Sequence, residues 1–196
     1  IIEIESIIKE CKNKSVTELL LLEAQAKKIY FNSFDIILEK EKYHFIKRTK
    51  NPPQNEINAL LSYGYSLLYA NYISVIDRSR LYSQISFVHS LTKCSESLQF
   101  DLADILKPVL IDRLVLSLCR HKSLKDEYFD YKKDRCYLNK KGVKFFVEKY
   151  ENYLLKTIKI NNKYYSYRNL ISREVHLLSN YIANESNDYK PYIMKW

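Results

Sequence analysis

Glycine is nearly missing from this chain: its 196 residues include only Gly64 and Gly142, with four prolines beside them. Tight hairpin turns draw on glycine for positive φ, so this scarcity argues against a hairpin-rich β fold and for a mostly α class. Paired cysteine spacing is missing too. Cys11, Cys94, Cys119 and Cys136 form no CxxC and no Cys/His pairing, which argues against a zinc finger or a disulfide scaffold and fits a reducing compartment. No apolar run approaches the ~20 residues of a membrane span. No N-terminal stretch combines a basic start, an apolar core and a cleavage site. These features predict a cytoplasmic protein that does not engage membranes. Negative charge is in deficit: 23 Asp and Glu against 32 Lys and Arg leave a formal charge of +9, which favours a polyanionic partner such as nucleic acid. The eighteen tyrosines, set among many Lys, Asn and Ile, fit the codon usage of an AT-rich genome as well as base stacking, so they decide nothing.

What is present is helical periodicity, and the length suits one substantial core. Ile4, Ile7, Ile8 and Cys11 place a first helix over residues 2–12, on which the chain begins as a piece cut from a longer protein would. Residues 1–14 then form the start of the domain or a linker helix. Ser15-Val16-Thr17-Glu18 is a capping-box pattern that opens a second helix through about Glu39. A basic linker, Lys40 to Lys50, ends in Asn51-Pro52-Pro53, after which Asn55 caps a long helix to about Leu81. Gly64 in its middle predicts close packing against another backbone. Tyr82 to Ser97 reads as irregular. An apolar helix follows to about Arg120 with a kink expected at Pro108. Alternation predicts a small β-hairpin over 128–138, and helices follow at about Lys140 to Thr157 and Arg168 to Ala183. The whole, 1–196, reads as one α-helical domain, with 15–120 carrying the site and 121–196 supplying C-terminal helices and a tail.

The chemistry gathers around His89 and the pair Asp101 and Asp104, whose i, i+3 spacing puts both carboxylates on one helix face. Imidazole nitrogen with carboxylate oxygen is a donor set for a divalent metal. Unpaired acids on so apolar a helix would be costly without a cation or hydrogen-bond donors. The plainer account is an acidic first turn complementing the helix dipole, with a histidine that is only hydrogen-bonded. A third ligand would separate the two readings. Glu56 is accounted for as a first-turn acid, whereas Glu23 follows Leu19-Leu20-Leu21-Leu22 and is harder to explain as a solvated face.

Three ordered blocks resemble the integrase family of CRISPR adaptation, Cas1. Leu22-Glu23-Ala24 with Tyr30-Phe31 and Phe34 is similar to its Glu-bearing helix. Pro52-Pro53 with Asn58-Ala59-Leu60-Leu61-Ser62-Tyr63-Gly64-Tyr65 and Leu68-Tyr69 is similar to the next. Phe87-Val88-His89, Ser97-Leu98, Asp101, Asp104, Lys107-Pro108 and Asp112-Arg113-Leu114-Val115 resemble the third. The departures are Ala24 where glycine is common beside the ligand, Lys107 where arginine is common, and Glu56 where the family often has proline. The resemblance also implies an N-terminal β-rich dimerisation domain for which this chain has no room, leaving the α-helical catalytic domain.

The resemblance implies that Glu23, His89 and Asp104 ligate Mn²⁺ or Mg²⁺, with Asp101 as an acidic neighbour. The imidazole leans the choice toward Mn²⁺, since Mg²⁺ prefers oxygen and keeps several waters. The implied activity is a metal-dependent DNA endonuclease and integrase that joins a DNA 3′-hydroxyl to a phosphodiester at the repeat during spacer acquisition. Its implied partners are double-stranded or branched DNA, a second copy in a homodimer, and Cas2. Lys27, Lys28, Lys93, Lys107 and Arg113 lie near these ligands in sequence and are candidates for phosphate contacts, as is Arg48 in the exposed-looking run Lys47-Arg48-Thr49-Lys50. The alternative is a non-catalytic helical DNA-binding module, in which the acids merely pair with neighbouring basic side chains.

Overall fold

The computed structural model describes residues 2–89 and 96–194. Its helices are α1 (Ile2–Glu10), α2 (Val16–Leu38), α3 (Glu56–Ile76), α4 (Leu98–Lys107), α5 (Arg113–Arg120), α6 (Lys140–Leu154) and α7 (Tyr167–Ile182). Two antiparallel hairpins accompany them, β1 (Phe129–Lys132) with β2 (Arg135–Leu138), and β3 (Thr157–Ile160) with β4 (Lys163–Ser166). No described helix is long and apolar enough to cross a membrane.

Helix α3 is the centre of the packing. Its apolar residues fall on nearly every face, with Ile57, Leu60, Leu61, Leu68, Tyr72 and Ile76 fully buried, which is the signature of a core helix rather than a surface one. It lies against α4, α7 and β2. Asn55 starts it by accepting from Asn58 N–H at 2.9 Å, and Ser15 starts α2 with both halves of the capping box formed. Gly64 does mark a close approach, but to side chains: a Cβ there would meet Ile111 Cγ2 at 2.5 Å and the Phe146 ring at 3.2 Å. Gly142, at the start of α6, faces the carbonyl oxygen of Tyr128 so closely that no Cβ fits.

At Pro108, where a kink is expected, the helix widens. Residues Pro108–Asp112 form a π-helical turn between α4 and α5, which accommodates a proline that has no N–H to give and a ring that crowds the preceding turn. This turn buries Asp112 to 2% exposure. Its Oδ2 accepts from the Tyr30 hydroxyl of α2 at 3.0 Å and its Oδ1 from the Tyr65 hydroxyl of α3 at 2.6 Å.

Three segments depart from the sequence reading. Helix α3 ends at Ile76, not Leu81, because Arg78 and Ser79 N–H turn back onto the carbonyls of Val75 and Ile76. The basic run 40–50 is no solvated linker: Tyr43 and Phe45 are buried. In that run, Asn58 Oδ1 accepts from Arg48 Nη1 and from Thr49 N, both at 2.9 Å, and Asn58 Nδ2 donates to Lys47 O at 2.8 Å. A second hairpin, 157–166, stands beside the one expected at 128–138. Both turn without glycine, through positive φ at Lys133 and at Asn161 and Asn162.

Gly142→Ala is expected to destabilise the fold by more than the 1–3 kcal/mol typical of overpacking, since the new methyl meets backbone rather than a movable side chain. Gly64→Ala should cost about 1–2 kcal/mol net of the helix-propensity gain. Denaturant melts of the two variants check the order.

Burial pushes the Asp112 carboxyl up from 3.8 to about 6, against the hydrogen bonds from Tyr65 and Tyr30 and the charges of Arg48 and Lys107. The folded state therefore holds this proton more tightly than the unfolded chain. The associated stability is full below about pH 4 and is lost as pH rises through about 6. Asp112→Asn should remove this component, flattening the pH dependence of the unfolding free energy over that window by about 2–3 kcal/mol. Urea melts at stepped pH measure it.

Candidate metal centre

Three separate elements deliver the cluster. Helix α2 is anchored by Phe34, 1% exposed, and by the bond from Tyr30 to Asp112. One and two turns nearer its start, at i−3 and i−7 from Tyr30, that same face presents Lys27 and Glu23. The leucine run before Glu23 is only partly interior, with Leu22 buried and Leu21 62% exposed, so Glu23 sits at the border where the helix leaves the core. Asp104 comes from α4, and His89 from the irregular segment that precedes it. One ligand atom from each of Glu23, His89 and Asp104 lies within 4.8 Å of the others. Among the described residues this is the group of His, Cys, Asp and Glu whose spacing suits a metal ion. Glu56 is elsewhere, accepting from the Tyr131 hydroxyl at 2.6 Å.

Asp101 does a different job from Asp104. Its Oδ2 accepts from the backbone N–H groups of Phe87 at 2.6 Å and Val88 at 3.1 Å, while its Oδ1 accepts from His89 N–H at 3.1 Å. The same Oδ1 is 2.6 Å from His89 Nδ1. One carboxylate thus ties the 87–89 backbone to the first turn of α4 and engages Nδ1 of the imidazole. A proton on Nδ1 is the tautomer this bond favours, which leaves the Nε2 lone pair for a ligand.

Two lysines surround Asp104. Lys107 Nζ bonds its Oδ1, and Lys27 Nζ lies 3.0 Å from Oδ2 while also bonding Glu23 Oε1. Burial works against the Asp104 charge, yet attraction to Lys107, hydrogen bonding with Glu23 and attraction to Lys27 outweigh it and hold the carboxyl down to about 2. Lys107 is itself steered by two rings, its Nζ lying 4.9 Å from the centroid of Tyr69 and 5.2 Å from that of Tyr65.

Beside this cluster opens a cleft whose walls include Lys27, Arg48, Lys50 and Lys107 together with Phe31 and Tyr69. Of the basic residues singled out from the sequence, Lys27, Lys107 and Arg48 meet here. Arg48 is half-buried rather than free in a loop, donating to Ser62 Oγ at 3.0 Å and lying 5.4 Å from the Tyr65 ring centroid. Arg113 is exposed at the start of α5, beside a separate hollow lined by Tyr30, Pro108, Arg120 and His121. Lys28 is exposed on α2, and Lys93 lies outside the described residues. Lys50, from the same run as Arg48, joins the cleft because the buried Tyr43 and Phe45 fold the 40–50 segment back over α3.

The donor set fits a divalent cation: two carboxylates and an oriented imidazole converge, and an ammonium already bridges the two carboxylates. The sequence profile of the family described as CRISPR associated protein Cas1 matches residues 1–152. A CRISPR-associated endonuclease Cas1 from Thermodesulfovibrio yellowstonii is 34% identical over 196 residues, which cover 99% of this chain and 58% of that protein. The solved structure of a Cas1 protein from Thermotoga maritima superposes with a TM-score of 0.85 at 34% identity, over 94% of this chain and 60% of the other. A casposase bound to integration product shares the fold at 24% identity, with a TM-score of 0.83, over 92% of this chain and 55% of that one. The chain therefore spans a little over half the length of these relatives. With the profile covering most of its residues, the chain belongs to the CRISPR-associated Cas1 family.

Proposed function

We propose that this chain is the helical catalytic portion of a divalent-metal-dependent DNA endonuclease and integrase of CRISPR adaptation. In this reading Glu23, His89 and Asp104 hold Mn²⁺ or Mg²⁺. The observation that carries the proposal is the convergence of these three side chains, from α2, the 82–89 segment and α4, to within 4.8 Å. Two carboxylates brought so close repel unless a cation is shared between them; the Lys27 ammonium fills that role here, and a divalent ion fits the same donors together with the imidazole.

Bound there, the ion would polarise a DNA phosphodiester and stabilise the oxygen that departs when a DNA 3′-hydroxyl attacks in line. The protein's own share is positional. Asp101 engages Nδ1 of the imidazole and so leaves Nε2 as the nitrogen open to a ligand. Lys107, braced on Tyr65 and Tyr69, keeps the Asp104 carboxylate ionised and oriented. Arg48, Lys50 and Lys107 line the neighbouring cleft with positive charge suited to phosphate oxygens, and its aromatic walls suit bases. Repeat DNA, a second copy of the chain and Cas2 are the partners this reading proposes.

One observation favours the second reading, a DNA-binding module without catalysis: both carboxylates are already paired to lysines. Metal binding separates the two. Calorimetric titration with Mn²⁺ should show one site in the parent protein, lost in His89→Ala. Asp101→Asn should weaken it by roughly 10- to 100-fold, the usual effect of losing the partner that orients a ligating histidine. Branched duplex DNA incubated with Mn²⁺ should be nicked by the parent and not by Asp104→Ala. A protein that binds DNA in a salt-dependent way but takes up no Mn²⁺ would leave the binding module as the better account.

A further inference from the structure

Among the described residues, Lys27 is the basic residue that touches two of the three proposed ligands. Its Nζ bonds Glu23 Oε1 and lies 3.0 Å from Asp104 Oδ2, so the ammonium stands between the carboxylates that a shared ion would bridge. Asp104 meanwhile keeps a separate cation on its other oxygen, since Lys107 bonds Oδ1. The two lysines are therefore not equivalent. Lys107 is braced by two rings and is 13% exposed, whereas Lys27 is 42% exposed and comes from the same helix as Glu23, one turn on. A divalent ion that reaches Asp104 Oδ2 and Glu23 Oε1 has to displace Lys27 and leaves Lys107 in place.

We propose that Lys27 is an internal competitor for the metal, an ammonium that holds the two carboxylates together and is expelled when a divalent cation enters. This rests on the reading of Glu23, His89 and Asp104 as metal ligands. It follows that Lys27 weakens metal affinity instead of assisting it. The expelled side chain has somewhere to go, because Lys27 also lines the cleft shared with Arg48, Lys50 and Lys107. Metal entry then frees the charge of Lys27 for that cleft, and an anion bound in the cleft would draw Lys27 away from the carboxylates. The two binding events favour each other by linkage.

The test is Mn²⁺ titration of the folded chain by calorimetry, with electron paramagnetic resonance of free Mn²⁺ as a second readout, on the parent and on Lys27→Met, Lys27→Arg and Lys28→Met. Removing two partly exposed ion pairs that compete with the metal should tighten Mn²⁺ binding by roughly 3- to 30-fold in Lys27→Met. Lys27→Arg keeps a cation in place and should bind no tighter than the parent. Lys28→Met removes the same charge from the exposed neighbouring position and should leave the affinity unchanged. Equal or weaker binding by Lys27→Met, with the site still lost in His89→Ala, overturns the competitor role and leaves the metal site standing. An equal gain in Lys28→Met also overturns it, by reducing the effect to net charge. No Mn²⁺ binding in the parent or in Lys27→Met overturns the competitor and the metal reading together.

Discussion

The geometry of the whole site depends on one buried carboxylate that does not belong to it. Asp112 takes a phenol from α2 and another from α3, and so fixes how those helices are rotated against the α4–α5 segment. Hydrogen bonds to a charged acceptor are worth roughly 1.5–3 kcal/mol each, and a buried acceptor left without them would cost more. Tyr30 sits one turn beyond Lys27 and two beyond Glu23 on the same face of α2. A helix held at Tyr30 presents Glu23 on the face turned toward Asp104.

The two aspartates seen first in the sequence divide the work. Asp104 has its oxygens spread between two lysines and the cluster. Asp101 spends both of its oxygens on the backbone and ring of the 87–89 segment. A histidine in an irregular segment would ordinarily sample several rotamers. Here the carboxylate that closes the segment also orients the ring, so order in the backbone and order in the imidazole come from one group.

Much of this was legible in the residues. The capping box at Ser15 and Glu18 and the cap at Asn55 mark helix starts by local chemistry, and local chemistry survives folding. The apolar run before Glu23 favours it over Glu56 as a ligand, and the structure puts Glu56 on the Tyr131 hydroxyl instead. Of the leucines before Glu23, Leu22 is buried but Leu21 is 62% exposed, so Glu23 lies at the edge of the core and not within it. The role of Asp112 was not legible, since its partners are 82 and 47 residues away. Lys50 joined the cleft through the buried aromatics of a segment that charge alone marks as solvated. The hairpin at 157–166 had a signal in Asn161-Asn162, residues that tolerate left-handed backbone, but the scarcity of glycine obscured it.

The π-helical turn at 108–112 also acts as a phase corrector. In an uninterrupted α-helix, residues eight apart such as Asp104 and Asp112 point about 80° away from each other around the axis. Widening one turn between them winds the chain more slowly and takes up much of that angle, so both acids meet α2, one at Lys27 and the other at Tyr30. Regular α winding with all eight residues kept would set the anchor and the cluster out of step, whereas removing one residue from the turn would leave them only about 20° apart. The irregularity at the proline is thus what keeps two distant jobs on one edge of a helix.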